Sequence, residues 1–136
     1  MKKLLAVLAL GLSCISYANA AVVVIGNNAG PGDMSKADAK KLFLGKGALS
    51  NGAAALVFEL DEGNPLRSQF HELVTGKSDA QLKAFWSKQV FTGKGNPPAT
   101  VASAAAMKTA VASAPNAIGY LDEADVDASV KVILKP

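Results

Sequence analysis

Cysteine, histidine, arginine and tryptophan each occur once in the 136-residue sequence, as Cys14, His71, Arg67 and Trp86. A single cysteine cannot close a disulfide within the chain, so a disulfide scaffold is excluded. One histidine and one distant cysteine cannot supply a thiolate or imidazole metal cage. No Gly-x-Ser-x-Gly run is present, so the nucleophile elbow of a serine hydrolase is missing. Gly93-Lys94-Gly95 lacks the Lys-Ser/Thr that would complete a phosphate loop. These absences point away from an enzyme and imply no cofactor or metal. Charge is also scarce, at 18% of residues. With 50% hydrophobic residues, that balance excludes a disordered chain. The 12 glycines and 6 prolines follow no period, which excludes a collagen-like repeat.

What is present begins with an address. Met1-Lys2-Lys3 is a cationic start, Leu4 to Leu12 an apolar run, and Ala18-Asn19-Ala20 a small-residue cleavage site. The pattern predicts a secretory signal peptide over residues 1–20, cleaved after Ala20, with export to the periplasm or the medium. The apolar run is too short for the ~20 residues that span a bilayer, so no stable membrane insertion is expected. Cys14 offers a lipoprotein alternative, but Gly11 stands where such sites usually carry Leu. Cleavage removes Lys2, Lys3 and Cys14 and leaves one domain, residues 21–136, with a net charge near +1. That charge gives no footprint for a nucleic acid partner.

The remaining chain alternates strand and helix signals. Val22-Val23-Val24-Ile25 is a β-branched run of the kind buried on both faces inside parallel sheets. Ser35 caps a helix carrying Leu42 and Phe43 and stopped at Gly45. A strand is expected over residues 53–60. Asn64 and Pro65 open a second helix, with Leu66, Phe70, Leu73 and Val74 at helical spacing. Ser78 caps a third, with Leu82, Phe85 and Trp86 on one face and Val90-Phe91 after them. Thr100 or Ser103 starts a fourth, broken at Pro115. Strands close the chain at residues 118–121 and 130–134. The order predicts an α/β fold: a three-layer sandwich with a mostly parallel central sheet.

Candidate chemistry gathers at one junction. Glu59, Asp61 and Glu62 end a strand, and the helix opened by Asn64 follows at once. Their spacing fits no calcium loop, so a solvated turn is expected. The N-terminus of a helix after a strand favours anions. Pro65 removes one N–H there, and the acids oppose a second negative charge. Arg67, in the first turn, has two uses: a forked contact to a phosphate or carboxylate, or a pair with one of the three acids. His71, beside Glu72, reads as a partly exposed helix residue.

Four segments together resemble a known family. They are Leu42-Phe43-Leu44-Gly45-Lys46, Val57 to Phe70, Phe91 to Asn96, and Ala117 to Leu121. In this order they resemble the second lobe of the phosphate-binding proteins that serve ABC phosphate transporters. The resemblance implies one lobe of a type II periplasmic-binding-protein fold. It implies a small anion such as phosphate as ligand, with Gly63, Asn64 and Arg67 as binding residues and Ser35 as a further contributor. ABC transporter components or a second copy of the chain are the implied protein partners. The family's anion cradle reads Arg, then Asp-Gly-Ser-Gly-Thr. Here Glu59 or Leu60 stands at the Arg, Glu62 at the Asp and Gly63 at the first Gly. Asn64, Pro65 and Leu66 replace the rest, and Arg67 lies one helical step later. The alternative is an interaction module that kept the fold and lost the ligand, with Leu66, Trp86 and Phe91 as its surface.

Overall fold

The computed structural model describes residues 21–136. The export signal expected over residues 1–20, Cys14 included, lies outside the described residues. The described chain runs β1 (Val22–Gly26), α1 (Lys36–Phe43), β2 (Leu56–Leu60), α2 (Pro65–Val74), α3 (Asp79–Phe91), β3 (Ala99–Val101), α4 (Ala104–Ala112), β4 (Ala117–Asp122), a 3-10 turn (Glu123–Asp125) and β5 (Lys131–Leu134). The strands form one sheet in the order β3-β2-β4-β1-β5.

The sheet is mixed but mostly of one direction. β2 pairs parallel with β3 and with β4, while β1 pairs antiparallel with both β4 and β5. Four strands therefore point one way and β1 alone runs against them. This corrects one expectation. The Val22–Ile25 run is buried on both faces, as its composition implies, but its neighbours are antiparallel. A β-branched run reports covered faces, not the direction of pairing.

Two adjacent residues of β4 show the three layers. Successive strand residues face opposite sides. A Cβ on Gly119 would stand 2.4 Å from the Met107 sulfur and 3.2 Å from Val111, both on α4. Tyr120 instead stacks on Phe70 of α2, ring centroids 4.0 Å apart, with Phe43 of α1 at 5.8 Å. Hence α4 covers one face and α1 with α2 the other. Right-handed crossovers demand the same: β2 to β3 and β3 to β4 cross the sheet in opposite senses, which puts their helices on opposite faces.

Each helix begins where its cap was expected. The side chains of Ser35, Asn64, Ser78 and Ser103 accept from the backbone N–H groups of Asp38, Leu66, Gln81 and Ala106. Strand β3 was not expected; the fourth helix starts only at Ala104, after it. β3 has three residues, mostly exposed, at the sheet edge after Pro97-Pro98. So short an edge strand leaves no alternation to read.

Candidate functional site

The junction of β2 and α2 is built around one buried carboxylate. Glu59 and His71 are fully buried, and Arg67 is 8% exposed. Arg67 and His71 are four residues apart, so both project from one face of α2. That face meets the end of β2. The Arg67 guanidinium donates to the Leu60 carbonyl at 2.8 Å and lies 3.5 Å from the Glu59 carboxylate. His71 Nε2 bonds the other Glu59 oxygen, and its Nδ1 lies 3.0 Å from Thr75 Oγ1. Tyr120 completes the enclosure. Its hydroxyl accepts from the Leu60 N–H at 3.1 Å, where the β2–β4 ladder has already ended. Burial first, and the Glu59 charge second, push the Tyr120 phenol far above its ordinary value, so it stays neutral.

Two sequence expectations are corrected here. His71 is not a partly exposed neighbour of Glu72; it is sealed in the core with Glu59 as its partner. The acids are not one solvated turn. Asp61 and Glu62 are exposed, but Glu59 still belongs to the buried end of β2. Thr75, His71 and Glu59 also reproduce a hydroxyl–imidazole–carboxylate order. All three are at most 2% exposed, so no substrate reaches the hydroxyl.

The four candidate ligand residues do not share one cavity. Gly63 and Arg67 line a cavity of about 210 Å³ with Glu62, Asp79, Ala80 and Lys83. Asn64 and Ser35 are absent from that lining and spend their side chains as helix caps. The N-terminal donors of α2 are engaged as well. The Asn64 N–H bonds the Asp61 carbonyl, the Leu66 N–H the Asn64 side chain, and the Arg67 N–H the Asn64 carbonyl. Pro65 has no N–H to give.

A second groove, about 520 Å³, continues from this cavity past Glu62, Arg67 and Lys83 onto Trp86, Ser87, Val90, Phe91 and Pro97. α3 is the reason. It buries only Leu82 and Trp86. Val90 stays 50% and Phe91 93% exposed. Among the described residues, the Trp86 indole N–H is a buried donor without an acceptor. Of the contact surface expected at Leu66, Trp86 and Phe91, the structure buries Trp86, half-buries Leu66 and leaves Phe91 in solvent.

The same architecture occurs in solved transport proteins. An ABC-type phosphate transport receptor from Vibrio cholerae matches 83% of this chain, with a TM-score of 0.65 and 20% sequence identity. A substrate-binding protein assigned to a phosphate ABC transporter of Clostridium perfringens, with phosphate bound, also matches 83% of the chain, with a TM-score of 0.67 and 22% identity. This chain shares its fold with phosphate-transport receptors. It spans only 45% and 44% of their lengths. No family model matches the sequence, and no curated protein matches it as a relative. Among the described residues, no helix is long and apolar enough to cross a membrane.

Proposed function

We propose that this chain is an exported, single-lobe module of phosphate-receptor fold that works through protein contact, as an accessory to ABC-type phosphate uptake, and not as an enzyme. The periplasm or the medium is its proposed location, reached through the signal peptide over residues 1–20. The observation that carries the reading is the bonding of Arg67. The only guanidinium in the chain is turned inward, onto Glu59 and the Leu60 carbonyl. Freeing it for a ligand would leave the buried Glu59 carboxylate to His71 alone and the Leu60 carbonyl without its donor, and breaking such a buried pair costs several kcal/mol. With the α2 donors also engaged, the junction has little left to hold an anion.

A second reading keeps the small anion, phosphate included, at Gly63, Asn64 and Arg67, with Ser35 contributing. The fold shared with phosphate receptors and the presence of Lys83 beside Gly63 favour it. Glu62 and Asp79 in the same lining oppose it.

Linkage separates the two. A ligand that binds the folded state at 100 times its Kd stabilises it by ~2.7 kcal/mol. Urea unfolding in phosphate and in chloride at matched ionic strength is the test. The interaction reading predicts equal midpoints up to millimolar phosphate. A saturable rise with phosphate, lost in Asn64→Ala, overturns it in favour of the anion site.

A further inference from the structure

We infer that the groove between α1, the α2–α3 turn and α3 receives an acidic, extended segment of a partner protein. The inference rests on the interaction reading above and names the chemistry of the partner. The groove holds about 570 Å³. It lies on the far side of α3 from Lys83, Ser87 and Val90. α3 turns Gln81, Ala84, Phe85 and Lys88 toward it, a stripe at helical spacing.

Three lysines converge on this groove from three elements. Lys40 comes from the last turn of α1, Lys77 from the α2–α3 turn and Lys88 from the last turn of α3. None of them forms an ion pair among the described residues. The chain carries 11 acids, yet no carboxylate lines the groove. Glu72 stands one turn before Thr75 but outside the lining. Asp79, at the start of α3, lines the cavity beside Arg67 instead and accepts from Ser68 Oγ. Placement and not composition therefore makes the groove basic, on a domain whose charge is otherwise nearly balanced. The C-terminus of α2 borders the groove, and its dipole opposes an anion. Its His71 carbonyl is already occupied by the Thr75 and Gly76 N–H groups. Three like charges around one concavity complement a partner of the opposite sign.

The shape selects a chain over other anions. Gln81 to Lys88 spans about 10 Å of helix, far more than one inorganic anion covers. A membrane surface is met by apolar side chains that project into it. Here Phe85 is half-buried on the groove wall, with the Lys77 ammonium 5.4 Å from its ring centroid. An extended peptide in polyproline II form repeats every three residues, or about 9 Å. Acids three residues apart then fall on one side of it, at the length of the α3 stripe. An apolar residue between them meets Phe85.

The test is fluorescence anisotropy of a labelled probe peptide with glutamate at every third position and alanine and leucine between. The same peptide with lysine for glutamate is the control. The protein is expected to saturate the acidic peptide at about 20 mM salt, to lose it at about 200 mM, and to ignore the control. Lys40→Gln, Lys77→Gln and Lys88→Gln are each expected to weaken binding about twofold to fivefold, and the triple variant to abolish it. Lys94→Gln removes the same charge outside the groove and is expected to leave binding nearly unchanged. All are expected to keep the urea midpoint, since none of these lysines is buried. An acidic peptide that never saturates at low salt overturns the inference. So does a triple variant that binds like wild type, or a Lys94→Gln variant weakened as much as the groove variants. Phosphatidylglycerol vesicles that sediment the wild type but not the triple variant, with the peptide unbound, assign the groove to a lipid surface and also overturn it. Failure of the peptide with a phosphate-independent urea midpoint removes this partner and leaves the interaction reading standing. A saturable phosphate-dependent midpoint removes the interaction reading, and the peptide titration still reads the groove on its own.

Discussion

Arg67 and Glu59 form a buried pair at 3.5 Å, and the same guanidinium closes onto the Leu60 carbonyl at 2.8 Å. The only arginine of the chain is thus a structural strut between β2 and α2. Removing one partner of such a pair leaves the other charge buried. Arg67→Met is therefore expected to destabilise the fold by ~3 kcal/mol or more, measured by urea unfolding. A ligand-facing arginine would cost ~0.5 kcal/mol or less on removal and show its effect in binding alone.

Asn64 and Ser35 act as caps. Asn64→Ala and Ser35→Ala are each expected to cost ~1 kcal/mol in the same measurement, the usual worth of a helix N-cap. Aspartate at either position should keep most of that stability, because it caps as well.

Gly119 marks the closest approach of α4 to the sheet. A methyl group there would meet the Met107 sulfur at 2.4 Å and Val111 at 3.2 Å. Gly119→Ala is expected to cost ~1–3 kcal/mol by overpacking. Met107 has flexible bonds and takes up part of the strain, so the effect of Gly119→Ala should be non-additive with Met107→Ala.

Tyr120 sets the alkaline limit. Burial raises its folded-state pKa, so the fold favours the protonated phenol. The resulting stability is full below about pH 10, the unfolded value, and is lost as pH rises through and beyond it. Without residues 1–20, Tyr120 is the only tyrosine. Phenolate absorbance is therefore expected to appear together with unfolding and not before it. A phenolate signal at ordinary tyrosine pH in folded protein would contradict the burial argument.

The sequence carried the helices well, because their caps are local: a Ser or Asn and the backbone two or three residues on are enough to mark a start. The α/β class followed from the alternation of these elements with apolar runs. The direction of β1 did not, because direction is settled by β4 and β5, far along the chain. The candidate site was legible in position but not in wiring. Glu59, Asp61 and Glu62 look alike in a row, yet one faces the core and two face water. One signal was available. Arg67 and His71, the only arginine and histidine, stand at i and i+4 on one helix, a spacing that aims both at a single carboxylate. Phe91 was visible as an apolar residue; its exposure depends on how α3 packs, which no local pattern states.

The central claim, that Arg67 is committed to the interior, can be read from one nucleus. As the only arginine, its guanidinium gives a unique nitrogen-15 spectrum. The account predicts separately resolved Nη signals from a locked side chain, slow hydrogen exchange, and no change on adding millimolar phosphate. Averaged Nη signals that exchange rapidly and shift to saturation with phosphate would contradict it.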